Sequence, residues 1–210
     1  IFIVFARIED DKNLTGFIVE KDMENGISMG DEEKKLGIHS SSTRQVYFDG
    51  TKVPVDNLLG ERNGGFKIAM NALNVGRMKL AAACLDAQRR VIGSAVQYAN
   101  DRVQFKTPIV KFGAIRQKLA EMATNAYADE AASYRAAKNI DDRINIRLEN
   151  GSSHQEAELK AFEEFAIESS ILKVEVSESL QNCTDEGIQI YGGMGFSADT
   201  PMESAWRDCR

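Results

Sequence analysis

The chain has 210 residues, 43% hydrophobic and 28% charged, with a formal net charge of −6. This is ordinary for a globular protein with a sizeable core; no apolar run approaches the roughly 20 residues that span a bilayer, and the acidic balance argues against a general nucleic-acid binder. Cys84, Cys183 and Cys209 are odd in number and far apart, and with only His39 and His154 beside them none has metal-ligand spacing, so they read as reduced intracellular thiols.

Residues 1 to about 60 read as β. Phe2-Ile3-Val4-Phe5, Gly16-Phe17-Ile18-Val19 and Val46-Tyr47-Phe48 are short runs rich in β-branched and aromatic residues. Asp10-Asp11-Lys12-Asn13 separates the first two as a hairpin-like loop. Asp49-Gly50 is a turn signal before Val53-Pro54-Val55. After Gly64-Gly65 the period becomes helical. Met70, Leu73, Leu80, Cys84, Ala87 and Val91 form a first stripe. Phe112, Ile115, Leu119, Met122, Ala126 and on to Tyr134 form a second. Leu159, Phe162, Ala166, Leu172, Val176, Leu180 and Cys183 form a third. Helices of more than about 25 residues predict an antiparallel, up-and-down bundle. The polar segment Asn139–Ser153 reads as a ragged helix end and a loop. The chain starts inside a strand and stops in a new helix, Met202 to Arg210, so the expectation is a fragment: three long helices and the stump of a fourth.

Arg77 falls between Leu73 and Leu80 on the first stripe. A buried guanidinium needs an anionic partner: a carboxylate on a neighbouring helix, solvent reached by snorkelling, or the carboxylate, phosphate or polar head group of a ligand. Arg102, beside Phe105 at the junction of the first two long helices, reads either as a solvated loop arginine or as a phosphate clamp. Gln189-Ile190-Tyr191-Gly192-Gly193-Met194-Gly195-Phe196 ends the third helix with three glycines in four positions. Glycines let backbone amides approach a ligand, although a helix C-cap followed by a turn gives the same pattern. Glu203 and Asp208 stand beside Arg207 and Arg210, where intrahelical ion pairing is the default.

Taken in order, these segments resemble the acyl-CoA dehydrogenase family along essentially the whole chain. The resemblance rests on Leu36-Gly37-Ile38-His39-Ser40-Ser41-Ser42-Thr43, on Val46 to Gly50 and Val53 to Gly60, and on Asn74-Val75-Gly76-Arg77. It rests further on Asp101-Arg102-Val103-Gln104-Phe105, and on Gln189 to Phe196 followed by Asp199, Pro201, Glu203, Arg207 and Asp208. It implies an α+β, mainly α fold: residues 1–60 as the last part of a middle β domain, and residues 61–210 as most of a C-terminal four-helix bundle. It implies FAD-dependent oxidation of acyl-CoA thioesters to trans-2-enoyl-CoA. A carboxylate takes the α-proton, the flavin takes hydride, and electrons pass to electron-transfer flavoprotein.

Under the resemblance, Asn74, Val75, Gly76 and Arg77 contact the acyl-CoA. Arg102 and Phe105 contact FAD from an adjacent subunit, as do Gln189, Ile190, Tyr191, Gly192 and Gly193, so a homodimer or homotetramer is expected. Some branches carry the catalytic Glu where this chain has Gly76; in the other branch it follows Arg210 by a few residues. No catalytic base is therefore assigned within the chain. The implied compartment is bacterial cytoplasm or mitochondrial matrix. Two residues depart from the family pattern: Lys106 stands in place of a usual Gly, and Gly113 in place of a frequent flavin-contacting Gln. The loop between the second and third long helices resembles a long-chain subgroup. The rival readings are an acyl-CoA oxidase, a DNA-binding relative, which the charge opposes, and a purely structural bundle.

Overall fold

The computed structural model describes residues 1–21 and 26–210. The chain is mainly α with short antiparallel strands. Strands β1 (Phe2–Ala6), β2 (Thr15–Val19) and β5 (Leu58–Leu59) form one antiparallel sheet, in the order β1-β2-β5. Strands β3 (Ile27–Glu32) and β4 (Arg44–Phe48) form a second, with an irregularity between Met29 and Glu32. Sequence reading missed β3, whose Gly, Asp and Glu residues dilute the β signal, and Val53-Pro54-Val55 is not a strand. Pro54 lacks the N–H a ladder needs, and it caps a short 3-10 turn at Val55–Asn57 instead.

Helices α1 (Gly65–Asp101), α2 (Gly113–Glu149), α3 (His154–Glu164), α4 (Ala166–Tyr191) and α5 (Pro201–Cys209) follow. Two compact units result: Ile1–Lys35 with His39–Leu73, and Leu36–Ile38 with Asn74–Arg210. Their boundary falls inside α1.

Within the second unit, α2 runs antiparallel to α1 and α4. Gln88 pairs with Asp129, while Lys118, early in α2, pairs with Glu186, late in α4. Ala95, Ala99, Ala157 and Ala161 are fully buried and let the helices approach closely. Val91, Met122, Cys183, Ile190, Tyr191 and Met202 share one core cluster; Leu85, Leu172, Val176 and Leu180 share another.

Three sequence expectations change here. First, α2 continues to Glu149, because Ile140 is buried on its inner face and both Arg143 and Arg147 reach Glu164 of α3, at 2.8 and 3.0 Å. It stops at Gly151, whose φ of 88° allows Gly151 N–H to bond Leu148 O and Ser152 N–H to bond Arg147 O, a Schellman ending. Second, the third stripe is two helices broken at Phe165. There Ser169 and Ser170 donate back to the carbonyls of Phe165 and Ala166, a pattern that bends helices. Third, the predicted α1 stripe holds only in its second half: Cys84 and Val91 are buried and Ala87 is half-buried, while Met70, Leu73 and Leu80 are exposed. The buried face carries Asn71, Asn74, Ala81, Cys84, Gln88, Val91, Ala95 and Ala99.

The motif residues of α5 are structural. Glu203 and Arg207 form the expected i,i+4 pair at 2.8 Å, which holds the Glu203 carboxyl below its usual range. Arg207 also donates to Leu36 O, and Asp208 accepts the Ile38 N–H at 2.6 Å, so two motifs 170 positions apart in sequence fasten to each other.

Burial pushes the Cys183 thiol up to about 12 from 9.0, and moves Cys84 in the same direction. Between those values the folded chain holds more protons than the unfolded one. The stability from this source is complete below the unfolded pKa and is lost as pH rises through the window. The urea midpoint should therefore fall from about pH 9 upwards, and less steeply in Cys183→Ala. Equal slopes in the two proteins would contradict this.

Candidate functional site

Residues 102–112 connect α1 to α2. Strands β6 (Val103–Gln104) and β7 (Thr107–Pro108) pair as a hairpin with Phe105 and Lys106 as its two loop residues. Both have positive φ, 51° and 64°, as a two-residue loop of the primed type demands. Side chains in this region are strained, and a strained, exposed aromatic marks a place where something other than local stability sets the sequence. Phe105 is 89% exposed and meets Phe112 edge-on at 6.4 Å. Lys106→Gly should relieve the strain and stabilise the chain by about 1 kcal/mol, read as a rise in the thermal midpoint; a fall would show that the lysine side chain holds the hairpin.

The end of α4 lies against this hairpin's base. Tyr191 stacks on Tyr98 with ring centroids 4.0 Å apart and planes 13° from parallel. Burial pushes the Tyr191 hydroxyl's pKa up. At Gly192 the backbone leaves the helix with φ 58° and ψ −135°. A cleft of about 440 Å³ is lined by Arg102 and Gln104 on one side and Ile190, Tyr191, Gly192 and Gly193 on the other, with Tyr98 also lining it. The structure thus brings Arg102 together with the glycine pair. Gln189 is exposed just outside the lining, and Phe105 stands at the hairpin tip. Met194, named from sequence only as part of the glycine stretch, also lines the cleft, and Tyr98 was not singled out from sequence. Tyr98 sits in an ordinary helical stretch, and only its position seven residues after Val91 on the core face marks it.

Gly192 and Gly193 are exposed, and a Cβ built on Gly193 would meet nothing within 4 Å. Gly195 is different: its Cβ would come 2.5 Å from Ile188 O, so the fold itself requires that glycine. Among the described residues nothing requires Gly193.

The second candidate cluster lies on α1. Asn74 is buried and accepts a hydrogen bond from Arg77 Nη1 at 2.9 Å. Arg77 is half-exposed and among the described residues forms no ion pair, so a carboxylate on a neighbouring helix does not explain it, while the solvent-reaching alternative fits its exposure. Val75 is half-buried. Gly76 is exposed, with no atom within 4 Å of a built Cβ, although glycine inside a helix is about 1 kcal/mol worse than alanine. The rest of α1 separates this cluster from Arg102 by about 36 Å at the helical rise.

Residues 63–210 match the family model described as acyl-CoA dehydrogenase, C-terminal domain. The chain belongs to the acyl-CoA dehydrogenase family. It is 43% identical to a probable acyl-CoA dehydrogenase of Bacillus subtilis (strain 168), over the whole chain and 35% of that relative's length. It is 40% identical to the mitochondrial very long-chain specific acyl-CoA dehydrogenase of Rattus norvegicus, over the whole chain and 30% of that protein. The crystal structure of a Bacillus anthracis acyl-CoA dehydrogenase complexed with FAD superposes with a TM-score of 0.92 at 42% identity, covering all of this chain and 35% of that one. The chain thus spans about a third of the length of these relatives. Among the described residues no helix is long and apolar enough to cross a membrane.

Proposed function

We propose that these residues are the end of the middle β domain (1–60) and most of the helical domain (61–210) of a longer flavoprotein that oxidises acyl-CoA thioesters to trans-2-enoyl-CoA. The family match beginning at residue 63 supports the division. The observation that carries the reading is the cleft in which Arg102 faces the open backbone of Gly192 and Gly193.

That cleft fits a pyrophosphate-bearing cofactor. A guanidinium fork pairs with phosphate oxygens in a fixed geometry, and side-chain-free backbone allows close approach. FAD, when bound, supplies the hydride acceptor. Arg102 holds its anionic part, Phe105 offers a ring face, and Gln189 to Gly193 form the wall.

Arg77 and Asn74 serve the substrate. Asn74 fixes one guanidinium nitrogen and leaves the others to anchor a polar part of the acyl-CoA, so the thioester's α- and β-carbons are held in place. Gly76 keeps the adjacent helix surface open. It bears no acid, and the family resemblance then implies a base a few residues after Arg210. The roughly 36 Å between the Arg77 and Arg102 clusters keeps them from serving one reacting pair within a chain. That separation supports a homo-oligomer in which each flavin meets Arg102 and Gly193 of a neighbouring copy. Electrons then leave to electron-transfer flavoprotein.

The test is a dye-coupled assay of the full-length protein across acyl-CoA chain lengths, beside polypeptide 1–210. Turnover by the former and none by the latter is expected. Robust turnover by 1–210 would overturn the placement of the base, and no turnover by the full-length protein would overturn the activity.

A further inference from the structure

The carbonyls of a helix's last turn have no partner within the helix. At the end of α4, one of them finds a side chain from α1: the Tyr98 hydroxyl donates to Tyr191 O at 3.2 Å. That carbonyl belongs to the same planar peptide as the Gly192 N–H, which bonds Gln189 O. Both ends of the Tyr191–Gly192 peptide are therefore held. Gly192, free to take φ 58°, begins the departure into the glycine segment from a fixed plane.

Tyr98 also grips the opposite wall. Its own carbonyl accepts the Arg102 N–H at 2.8 Å, and the Arg102 carbonyl accepts the Ile109 N–H at 2.9 Å, which ties the hairpin base back to α1. The stacked rings keep the arrangement rigid. Tyr191 contributes a second tie in the reverse sense, its hydroxyl donating to Ser94 O at 3.2 Å. One residue thus sets the separation between Arg102 and Gly192, the two sides of the cleft.

We infer that Tyr98 is a positioning residue for the cofactor. Its hydroxyl fixes the Tyr191–Gly192 peptide relative to Arg102, so that the glycine wall and the guanidinium meet the ligand together. The inference rests on the assignment of this cleft to FAD. It goes beyond that assignment in naming a residue that shapes the site through its neighbours.

Tyr98→Phe in the full-length protein keeps the ring stack and removes only the hydroxyl. FAD titration of the apoprotein, followed by flavin fluorescence, should show Kd raised about 3- to 10-fold, the range of one hydrogen bond. The visible absorption and circular dichroism of the bound flavin should shift, because its surroundings are less fixed. Val176→Ala is the control. Val176 is fully buried on α4, remote from the cleft, and its truncation should lower the thermal midpoint while leaving Kd within about twofold. A Tyr98→Phe protein with unchanged Kd and flavin spectrum, while Gly193→Val still weakens FAD, would overturn the positioning role and leave the FAD assignment standing. If neither substitution changes FAD binding, the assignment itself falls and takes this role with it.

Discussion

Gly193→Val in the full-length protein is expected to weaken FAD binding on the order of 100-fold, about 2.7 kcal/mol, and to leave the fold within about 0.5 kcal/mol of the parent. The two halves of this result have separate causes. A Cβ at Gly193 meets nothing within 4 Å among the described residues, and the residue does not need left-handed backbone, so the polypeptide accepts valine. The cleft does not, because the new side chain fills space between Gly192 and Arg102 that the cofactor is proposed to occupy. Gly195→Val gives the contrast. Its Cβ would lie 2.5 Å from the Ile188 carbonyl, so the chain itself should lose about 1–3 kcal/mol. Apoprotein titration with FAD, paired with urea denaturation, separates the two glycines. Similar losses of stability in both variants would mean that Gly193, too, is a folding residue.

Arg77→Met should lower kcat/KM for acyl-CoA about 10- to 100-fold, chiefly through KM, with flavin content unchanged. A hydrogen bond from a charged group contributes about 1.5–3 kcal/mol to binding. An interaction present in both the bound substrate and the transition state appears in KM. Within the chain, Arg77 does little else: its side chain bonds only Asn74 Oδ1 among the described residues. Losing that donor leaves a buried acceptor unpaired and costs about 1 kcal/mol of stability. Steady-state kinetics across several acyl-CoAs, beside a thermal melt, reads both quantities. Unchanged KM with a large loss of stability would make Arg77 a structural residue.

The parts of the site that were legible in the sequence are those where a residue type is unusual for its setting. Three glycines ending a helix, an arginine before an aromatic at a helix junction, and an arginine amid leucines stand out on chemistry alone. Their meaning came from order along the chain, since a C-cap or a solvated loop explains each one singly. The burial pattern of α1 was legible only in part. Cys84 and Val91 are buried as their spacing predicts, but Met70, Leu73 and Leu80 keep the same helical spacing and are exposed, because which side of the first turns is covered depends on partners outside the helix. Asn71, Asn74 and Gln88 are buried where sequence reading assigns polar residues to solvent. Gln88 is held there by Asp129 at 2.8 Å, on another helix, a pairing no local pattern announces. The tail of α2 was hidden for a similar reason. Arg143 and Arg147 look like loop chemistry until Glu164 of α3 is opposite them. Tyr98 was missed because its role lies in a hydroxyl reaching a carbonyl 93 positions away in sequence.

Arg102 and the Gly192–Gly193 segment are proposed to hold a flavin nucleotide that oxidises acyl-CoA. The most direct measurement is the visible spectrum of the full-length protein, purified gently, before and after anaerobic addition of an acyl-CoA. The predicted result is a yellow protein that releases FAD on denaturation and is bleached by the thioester. A folded but colourless protein that ignores added FAD would contradict it.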